Sequence, residues 1–113
     1  MNRGDVVEVD WPYSDLMGSK VRPAVVVQAD FLNGLIDDTI FVQITSTKHA
    51  IPGTEVEIDP TVESASDLSH LCCANCMNVL TRDQTLVGPV IGYLSDSIVI
   101  RIEACLKVVL EIR

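Results

Sequence analysis

The sequence predicts a mainly β (α+β) domain, built as a small, strongly bent antiparallel barrel with short helical turns and one C-terminal helix. Runs of β-branched residues alternate with turn residues along most of the 113 positions, and only the last stretch has the spacing of an amphipathic helix. Apolar residues make up 48% of the chain and aromatic residues only 4%, which indicates a core of Val, Ile and Leu. Residues 1–113 are expected to form one domain, since single domains commonly have about 100–150 residues.

Two strands and a loop form the predicted start of the fold. The first strand covers residues 5–10, and Pro12 ends it because proline cannot donate to a strand ladder. Residues 14–20 are polar and contain a glycine, which predicts a loop longer than a simple hairpin requires, as is typical of binding loops. The second strand covers residues 21–28, and its valine run is apolar on both faces, which indicates a central strand.

Short strands continue through the middle of the chain. Residues 29–34 predict one helical turn, residues 60–70 a polar loop and residues 81–84 a turn. Alternation and β-propensity predict further strands over 39–45, 54–58, 71–80 and 88–94.

The C-terminal segment predicts a helix that Ser95 caps. Its apolar residues recur at three- and four-residue steps: Ile98, Val99, Ile102, Cys105, Leu106, Val109 and Leu110. The β-branched run 98–100 would also suit a strand, but Glu103 and Lys107 form a helix-supporting pair on a polar face, which favours the helix.

Arg22 is the leading candidate for a functional residue. It follows Lys20 and directly precedes Pro23, which opens a run of buried valines. A proline restricts the backbone around it, so the guanidinium is held at the start of a rigid strand. The fork of guanidinium donors matches phosphate oxygens, whereas the structural alternative is a surface ion pair with one of many acids.

The cysteines are expected to be buried structural thiols in a reducing compartment. Cys73 and Cys76 match C-x-x-C, but a zinc site needs two further ligands and no second pair follows. On a strand over 71–80, Cys72 and Cys76 would share one face and Cys73 the other, which suits packing better than chelation.

The formal net charge of −8 argues against a nucleic-acid partner, because phosphate binding is mainly electrostatic. Several basic residues nevertheless come from the middle of the chain and could form a local positive patch: Lys20, Arg22, Lys48, Arg82, His49 and His70. Scattered solubilising charges are the alternative. No run of about 18 apolar residues and no signal-peptide pattern is present, so we expect a cytoplasmic protein without a membrane partner.

Several blocks, in this order, resemble the MazF/PemK (Kid) family of bacterial toxin endoribonucleases. The blocks are Gly4–Val7 with Val9–Pro12, Lys20–Val27, Ile44–Thr47, and more weakly Asn75–Thr81 and Ile91–Ser95. The resemblance implies an SH3-like barrel, a homodimer, and cofactor-free, metal-independent cleavage of single-stranded mRNA by its own 2′-hydroxyl. It also implies a type II toxin–antitoxin system with a cognate antitoxin as partner.

The resemblance assigns roles to individual residues. Arg22 would stabilise the phosphorane or protonate the leaving oxygen, and Thr45 would hydrogen-bond a non-bridging oxygen, with Ser46 beside it. As a proton donor arginine is poor, which favours the electrostatic role. The residues expected to contact RNA are Lys20, Ser46, Lys48, His49, Asn75, Asn78 and Arg82.

One part of the family pattern is absent. In some branches an arginine and an aspartate act as acid and base where this chain has Asn75 and Met77, and neither can serve. His49, His70 or a nearby carboxylate remain as general bases. The alternative is an inactive or protein-binding module on the same fold, as in the similar CcdB family that binds gyrase. An antitoxin would lay a disordered acidic segment over residues 13–21 and Arg22.

Overall fold

Six antiparallel strands form one curled sheet in this computed structural model, which describes all residues from 1 to 113. The strands are β1 (Asp5–Pro12), β2 (Ser19–Val26), β3 (Asp38–Thr45), β4 (Glu55–Ile58), β5 (Cys72–Asp83) and β6 (Val90–Tyr93). Helix α1 (Asp30–Asn33) is a single turn and helix α2 (Asp96–Val109) is long, with 3-10 turns at Ser64–Ser66 and Gln84–Leu86. The order β4-β5-β3-β2-β1-β6 leaves β4 and β6 as free edges, so the sheet is a half-barrel. The predicted mainly β class is confirmed.

Several strand boundaries differ from the sequence prediction. Strand β2 covers Ser19–Val26 instead of 21–28, β6 covers Val90–Tyr93 instead of 88–94, and two other strands extend further than expected. Strand β1 continues through Pro12, which occupies the last paired position opposite Ser19. Strand β5 runs on to Asp83 because Thr81 and Arg82 still pair with β3, so the turn expected at 81–84 begins only at Gln84. Both extensions lengthen the ladders that hold the curled sheet together.

Helix α2 covers one face of the sheet and closes the main core. Its buried residues are Ile98, Val99, Ile102 and Cys105, which lie against side chains from β1 to β5. Burying an isoleucine side chain stabilises the fold by about 1.5–3 kcal/mol, so this helix contributes much of the core energy. The opposite face carries a smaller cluster: Val7, Val9, Trp11, Ala24, Val26 and Phe41.

The start of α2 is fixed by two residues. Ser95 Oγ accepts from Ile98 N at 3.5 Å, which confirms the predicted cap. The Glu63 carboxylate in turn accepts from Ser95 N at 2.7 Å and Ser95 Oγ at 3.0 Å. The pair expected between Glu103 and Lys107 is replaced, since Glu103 contacts Arg3 at 3.3 Å.

The four cysteines are buried, as predicted. Cys72 and Cys76 belong to the core under α2, while Cys73 lies on the other face and donates to Glu55 at 3.2 Å. Burial raises the pKa of Cys73 and of Cys76 to about 12, so both thiols are neutral. This arrangement fits packing rather than chelation.

Gly92→Ala should destabilise the fold by about 1–3 kcal/mol, because small-to-large changes in packed positions strain the backbone. A β-carbon at Gly92 would meet the Ala65 carbonyl oxygen and lie 2.5 Å from the Ser66 carbonyl oxygen, and neither backbone atom can move easily. Gly34→Ala is the matched control, since its nearest atoms are 3.9 Å away. Equal unfolding free energies of the two variants in urea would contradict the predicted contact.

Candidate active site

A cleft opens between β2 and β3 because Pro23 cannot continue their ladder. The two strands pair only over Ala24–Val26. Beyond the end of β2, Val27 N donates to Ile40 O at 3.0 Å, and alternate residues direct their backbone nitrogens to the same neighbour. Pro23, four residues earlier, therefore directs toward β3 a nitrogen that carries no hydrogen. The first residues of β2 consequently separate from the last residues of β3.

The cleft is a cavity of about 320 Å³. Arg22 and Pro23 line it from β2, and Thr45 and Ser46 line it from the end of β3. The segment between β4 and β5 contributes four further lining residues, Asp67, Leu68, Ser69 and His70, and β1 contributes Glu8. The structure thus brings Arg22, Thr45 and Ser46 together and adds His70 to them.

Thr45 is held in a defined orientation at the wall of the cleft. Its side chain is only 8% exposed, and its Oγ1 accepts a hydrogen bond from Thr47 N at 3.2 Å. A hydroxyl that already accepts keeps its hydrogen for donation. Thr45 can therefore donate to an oxygen of a bound group.

The two histidines occupy different surroundings. His70 lines the cleft, with its Nδ1 3.0 Å from Ser69 Oγ. His49 lies instead beside Glu55, whose carboxylate accepts from His49 N at 3.0 Å and is 3.7 Å from the His49 ring. Neighbouring Lys48 forms a 2.6 Å ion pair with Glu57, and the hydrogen bond to that carboxylate raises the pKa of Lys48. Of the predicted patch, Arg22 and His70 therefore line the cleft, while Lys48 and His49 are held by carboxylates outside it.

A second cavity of about 170 Å³ adjoins Arg22 on the other side. It is lined by Trp11, Pro12, Tyr13, Ser14, Arg22, Gln43 and Asn78. Arg22 lines both cavities, so the cleft and the second cavity meet at this residue.

A bulge in β5 brings Asn78 to the second cavity. Val42 pairs with Val79 but Gln43 pairs with Asn75, so residues 76–78 are inserted opposite a single step of β3. Asn75 is 5% exposed, and its Oδ1 accepts from Met77 N at 3.1 Å, which stabilises the bulge. Asn75 thus shapes the site from within the sheet.

The remaining residues that were expected to contact RNA lie outside both cavities. Lys20 is exposed on β2 opposite Trp11 of β1, and Arg82 Nη2 is 3.5 Å from the Asp10 carbonyl oxygen. The loop predicted between the first two strands is shorter than expected, because Tyr13 N donates to Gly18 O at 2.8 Å.

Gln43 was not singled out by the sequence analysis. The sequence feature that could have identified it is a lone amide in a strand whose neighbouring residues, Phe41, Val42 and Ile44, are all buried. Such a residue needs a hydrogen-bond partner or an open cavity. Here Gln43 Oε1 accepts from Asn78 Nδ2 at 3.0 Å, and Gln43 also lines the second cavity.

The fold is similar to those of several solved bacterial proteins. An endoribonuclease in complex with its cognate antitoxin from a mycobacterial species has a TM-score of 0.78 at 22% identity, covering 100% of this chain and 97% of that one. MazF from Deinococcus radiodurans has 0.77 at 16% identity, covering 99% and 97%. The Mycobacterium tuberculosis toxin MazF-mt6 has 0.74 at 19% identity, covering 95% and 98%. These identities support the shared fold alone.

A family model described as PemK-like, MazF-like toxin of type II toxin–antitoxin system matches residues 2–110. The chain therefore belongs to this toxin family, as the sequence blocks indicated. A search of curated proteins gave no significant match. None of its helices is long and apolar enough to cross a membrane.

Proposed function

We propose that this toxin is a metal-independent endoribonuclease, in which the RNA's own 2′-hydroxyl attacks the adjacent phosphate. The observation that carries the proposal is that Arg22, Thr45 and His70 all line the same cleft. The family membership supports it, as do the names of mycobacterial structures of the same fold, which are called endoribonucleases.

Arg22 and Thr45 would stabilise the charge that develops on the phosphate. The guanidinium of Arg22 can donate two parallel hydrogen bonds to phosphate oxygens and remains charged at every working pH. The free hydrogen of the Thr45 hydroxyl would reach a non-bridging oxygen, and Ser46 would add a second hydroxyl beside it. Donors that are already in position act most strongly on charge that appears only in the transition state.

His70 would act as the general base. Of the two histidines it alone lines the cleft, whereas His49 is held by Glu55. In the tautomer whose Nδ1 hydrogen is donated to Ser69 Oγ, 3.0 Å away, the imidazole presents an unprotonated Nε2. That nitrogen takes the proton as the 2′-oxygen bonds to phosphorus; the bond to the 5′-oxygen breaks, and this oxygen takes a proton from water. The products are a 2′,3′-cyclic phosphate and a 5′-hydroxyl.

The other residues expected to contact RNA would act along a longer segment of the bound strand. Asn78 would contact the nucleotide next to Arg22, since both line the second cavity. Lys20, Lys48, His49 and Arg82 would contact only a strand that extends past the cavities, and Asn75 would act by holding the bulge.

The purified protein is expected to cut single-stranded RNA in EDTA and to leave cyclic phosphate ends. Arg22→Ala should lower the cleavage rate by about 10²–10³, because removing one preorganised donor to an oxyanion costs about that much. Arg101→Ala is the matched control, since this exposed arginine on α2 lines neither cavity. Gel analysis of end-labelled RNA reports both the rate and the end chemistry.

Two results would contradict the nuclease assignment. The first is cleavage that persists in Arg22→Ala, and the second is cleavage of a substrate whose 2′-hydroxyl is replaced by hydrogen. A wild-type protein that cuts no RNA but captures a protein target would favour the binding-module alternative.

His70→Gln should abolish the pH dependence that a histidine base creates. For the wild type, kcat/KM should rise as the pH is raised, because only a neutral imidazole can accept the proton. The substitution should lower the rate by about 10²–10⁴ and remove this rise. On a short RNA that does not extend past the two cavities, His49→Gln should keep both the rate and the profile. If the pH profile of His70→Gln equals that of the wild type, the general base is instead a carboxylate of the cleft, Glu8 or Asp67.

The proposed partners are a second copy of the chain and a cognate antitoxin. Solved relatives named as antitoxin complexes include mycobacterial and Deinococcus radiodurans structures of the same fold. Sedimentation should give twice the chain mass of 12.3 kDa. An antitoxin segment that covers Arg22 should inhibit cleavage. If a variant of residues 13–21 still cleaves RNA but is no longer inhibited, the antitoxin contacts those residues. A monomer at micromolar concentration would contradict the dimer.

A further inference from the structure

We infer that Glu63 is a positioning residue, which holds the cleft segment (residues 59–71, between β4 and β5) in place as one wall of the cleft. This segment contributes Asp67, Ser69 and His70 to the cleft lining. The inference rests on the proposed function where it predicts activity, because it assumes that His70 acts in the cleft. Two independent observations carry it: a buried carboxylate bound to the start of helix α2, and a close backbone contact with β6.

The carboxylate of Glu63 is the polar link between the cleft segment and the rest of the protein. Glu63 is only 9% exposed, and its oxygens accept from Ser95 N at 2.7 Å and from Ser95 Oγ at 3.0 Å. All other side-chain hydrogen bonds of the cleft segment are internal: Thr61 with Asp59, Leu68 with Ser66, and Ser69 with His70. Glu63 therefore makes every side-chain hydrogen bond that joins this segment to another part of the fold.

Ser95 is a well-ordered partner for this carboxylate. Its Oγ accepts from Ile98 N at 3.5 Å as the cap of α2, and it donates to Glu63 because an ionised carboxylate can only accept. Ser97 Oγ, 3.0 Å from Ser95 Oγ, must then be the donor of that pair, since a hydroxyl has a single hydrogen. The negative charge of Glu63 also lies at the helix end that favours it. The cleft segment is thus attached to the helix that covers the main core.

A backbone contact with β6 fixes the cleft segment just after Glu63. Gly92 of β6 lies against the carbonyl groups of Ala65 and Ser66, so that a β-carbon there would be 2.5 Å from the Ser66 oxygen. Ser66 is fully buried. Because His70 follows Ser66 by only four residues, a shift of the attached part moves the imidazole in the cleft.

Glu63→Gln and Glu63→Asp separate the position of the side chain from its charge. Glutamine keeps the length, and its amide can accept from Ser95 N and donate to Ser95 Oγ, so the cleavage rate should stay near that of the wild type. Aspartate keeps the charge but is shorter by one methylene, so the contact must stretch or pull the segment. For Glu63→Asp and Glu63→Ala, kcat should fall by about 10²-fold, because a misplacement of about 1 Å costs roughly that much. KM should change little, since Arg22 and Thr45 lie on other elements.

A double-variant cycle shows whether Glu63 acts through His70. If it does, Glu63→Ala should slow the wild type but hardly slow His70→Gln further, because the group that it positions is already gone. The residual activity of Glu63→Ala should also lose the rise of kcat/KM with pH. Effects that multiply in the double variant would indicate general damage and overturn the positioning role. Glu103→Ala is the matched control, since this glutamate pairs with Arg3 at 3.3 Å and lines neither the cleft nor the second cavity.

Nuclear magnetic resonance of the imidazole rings tests the position of His70 without catalysis. The chain has two histidines, so the spectrum of His70→Gln identifies the His70 signals. In Glu63→Ala and Glu63→Asp these signals should shift, while those of His49 stay, because His49 is held by Glu55. Both rings should keep their wild-type signals in Glu63→Gln and Glu103→Ala. Urea unfolding checks that each variant is folded, and Glu63→Asp replaces Glu63→Ala in every comparison if the alanine variant does not fold.

The outcomes distinguish the positioning role from the nuclease assignment. Unchanged His70 signals in Glu63→Ala and Glu63→Asp overturn the inference, even if the wild type cuts RNA. Shifted signals with an undiminished cleavage rate overturn it as well, since the position of the segment would then not matter to the reaction. Shifted signals in a protein whose wild type cuts no RNA support the attachment of the cleft segment by Glu63 and overturn the proposed catalysis.

Discussion

The missing backbone hydrogen of Pro23 is the constraint on which the site depends. A residue with an N–H at this position could extend the β2–β3 ladder beyond Ala24, and a continuous ladder would close the cleft. The proline also fixes its own backbone angle, so the neighbouring Arg22 starts from a rigid strand. Pro23 thus both opens the cleft and positions Arg22, the cation that lines it.

The two sides of Arg22 are built by different physical means. The cleft comes from strand separation and is lined by hydroxyl groups, a histidine and two carboxylates. The second cavity comes from the β5 bulge and is ordered by a chain of side-chain hydrogen bonds from the indole of Trp11. Arg22 lines both, so its charge lies where the two cavities meet.

Local patterns predicted much of the fold and the central residue of the site. The split of Cys72 and Cys76 from Cys73 follows from strand alternation, and the Ser95 cap follows from residue type. Which histidine enters the cleft could not be predicted, because it depends on how the segment between β4 and β5 packs over Pro23. The position of Gln43 likewise depends on a register shift in β5 that no local pattern reveals.

The acidity of the chain leaves few cations beside the two cavities. Lys48 is paired with Glu57 and Arg82 lies near Asp10, so Arg22 is the one arginine or lysine that lines either of the two cavities. Few neutralised phosphates mean weak sequence-independent binding and a shallow dependence on salt. An RNA would then be held mainly where stacking and directed hydrogen bonds add to the single charge.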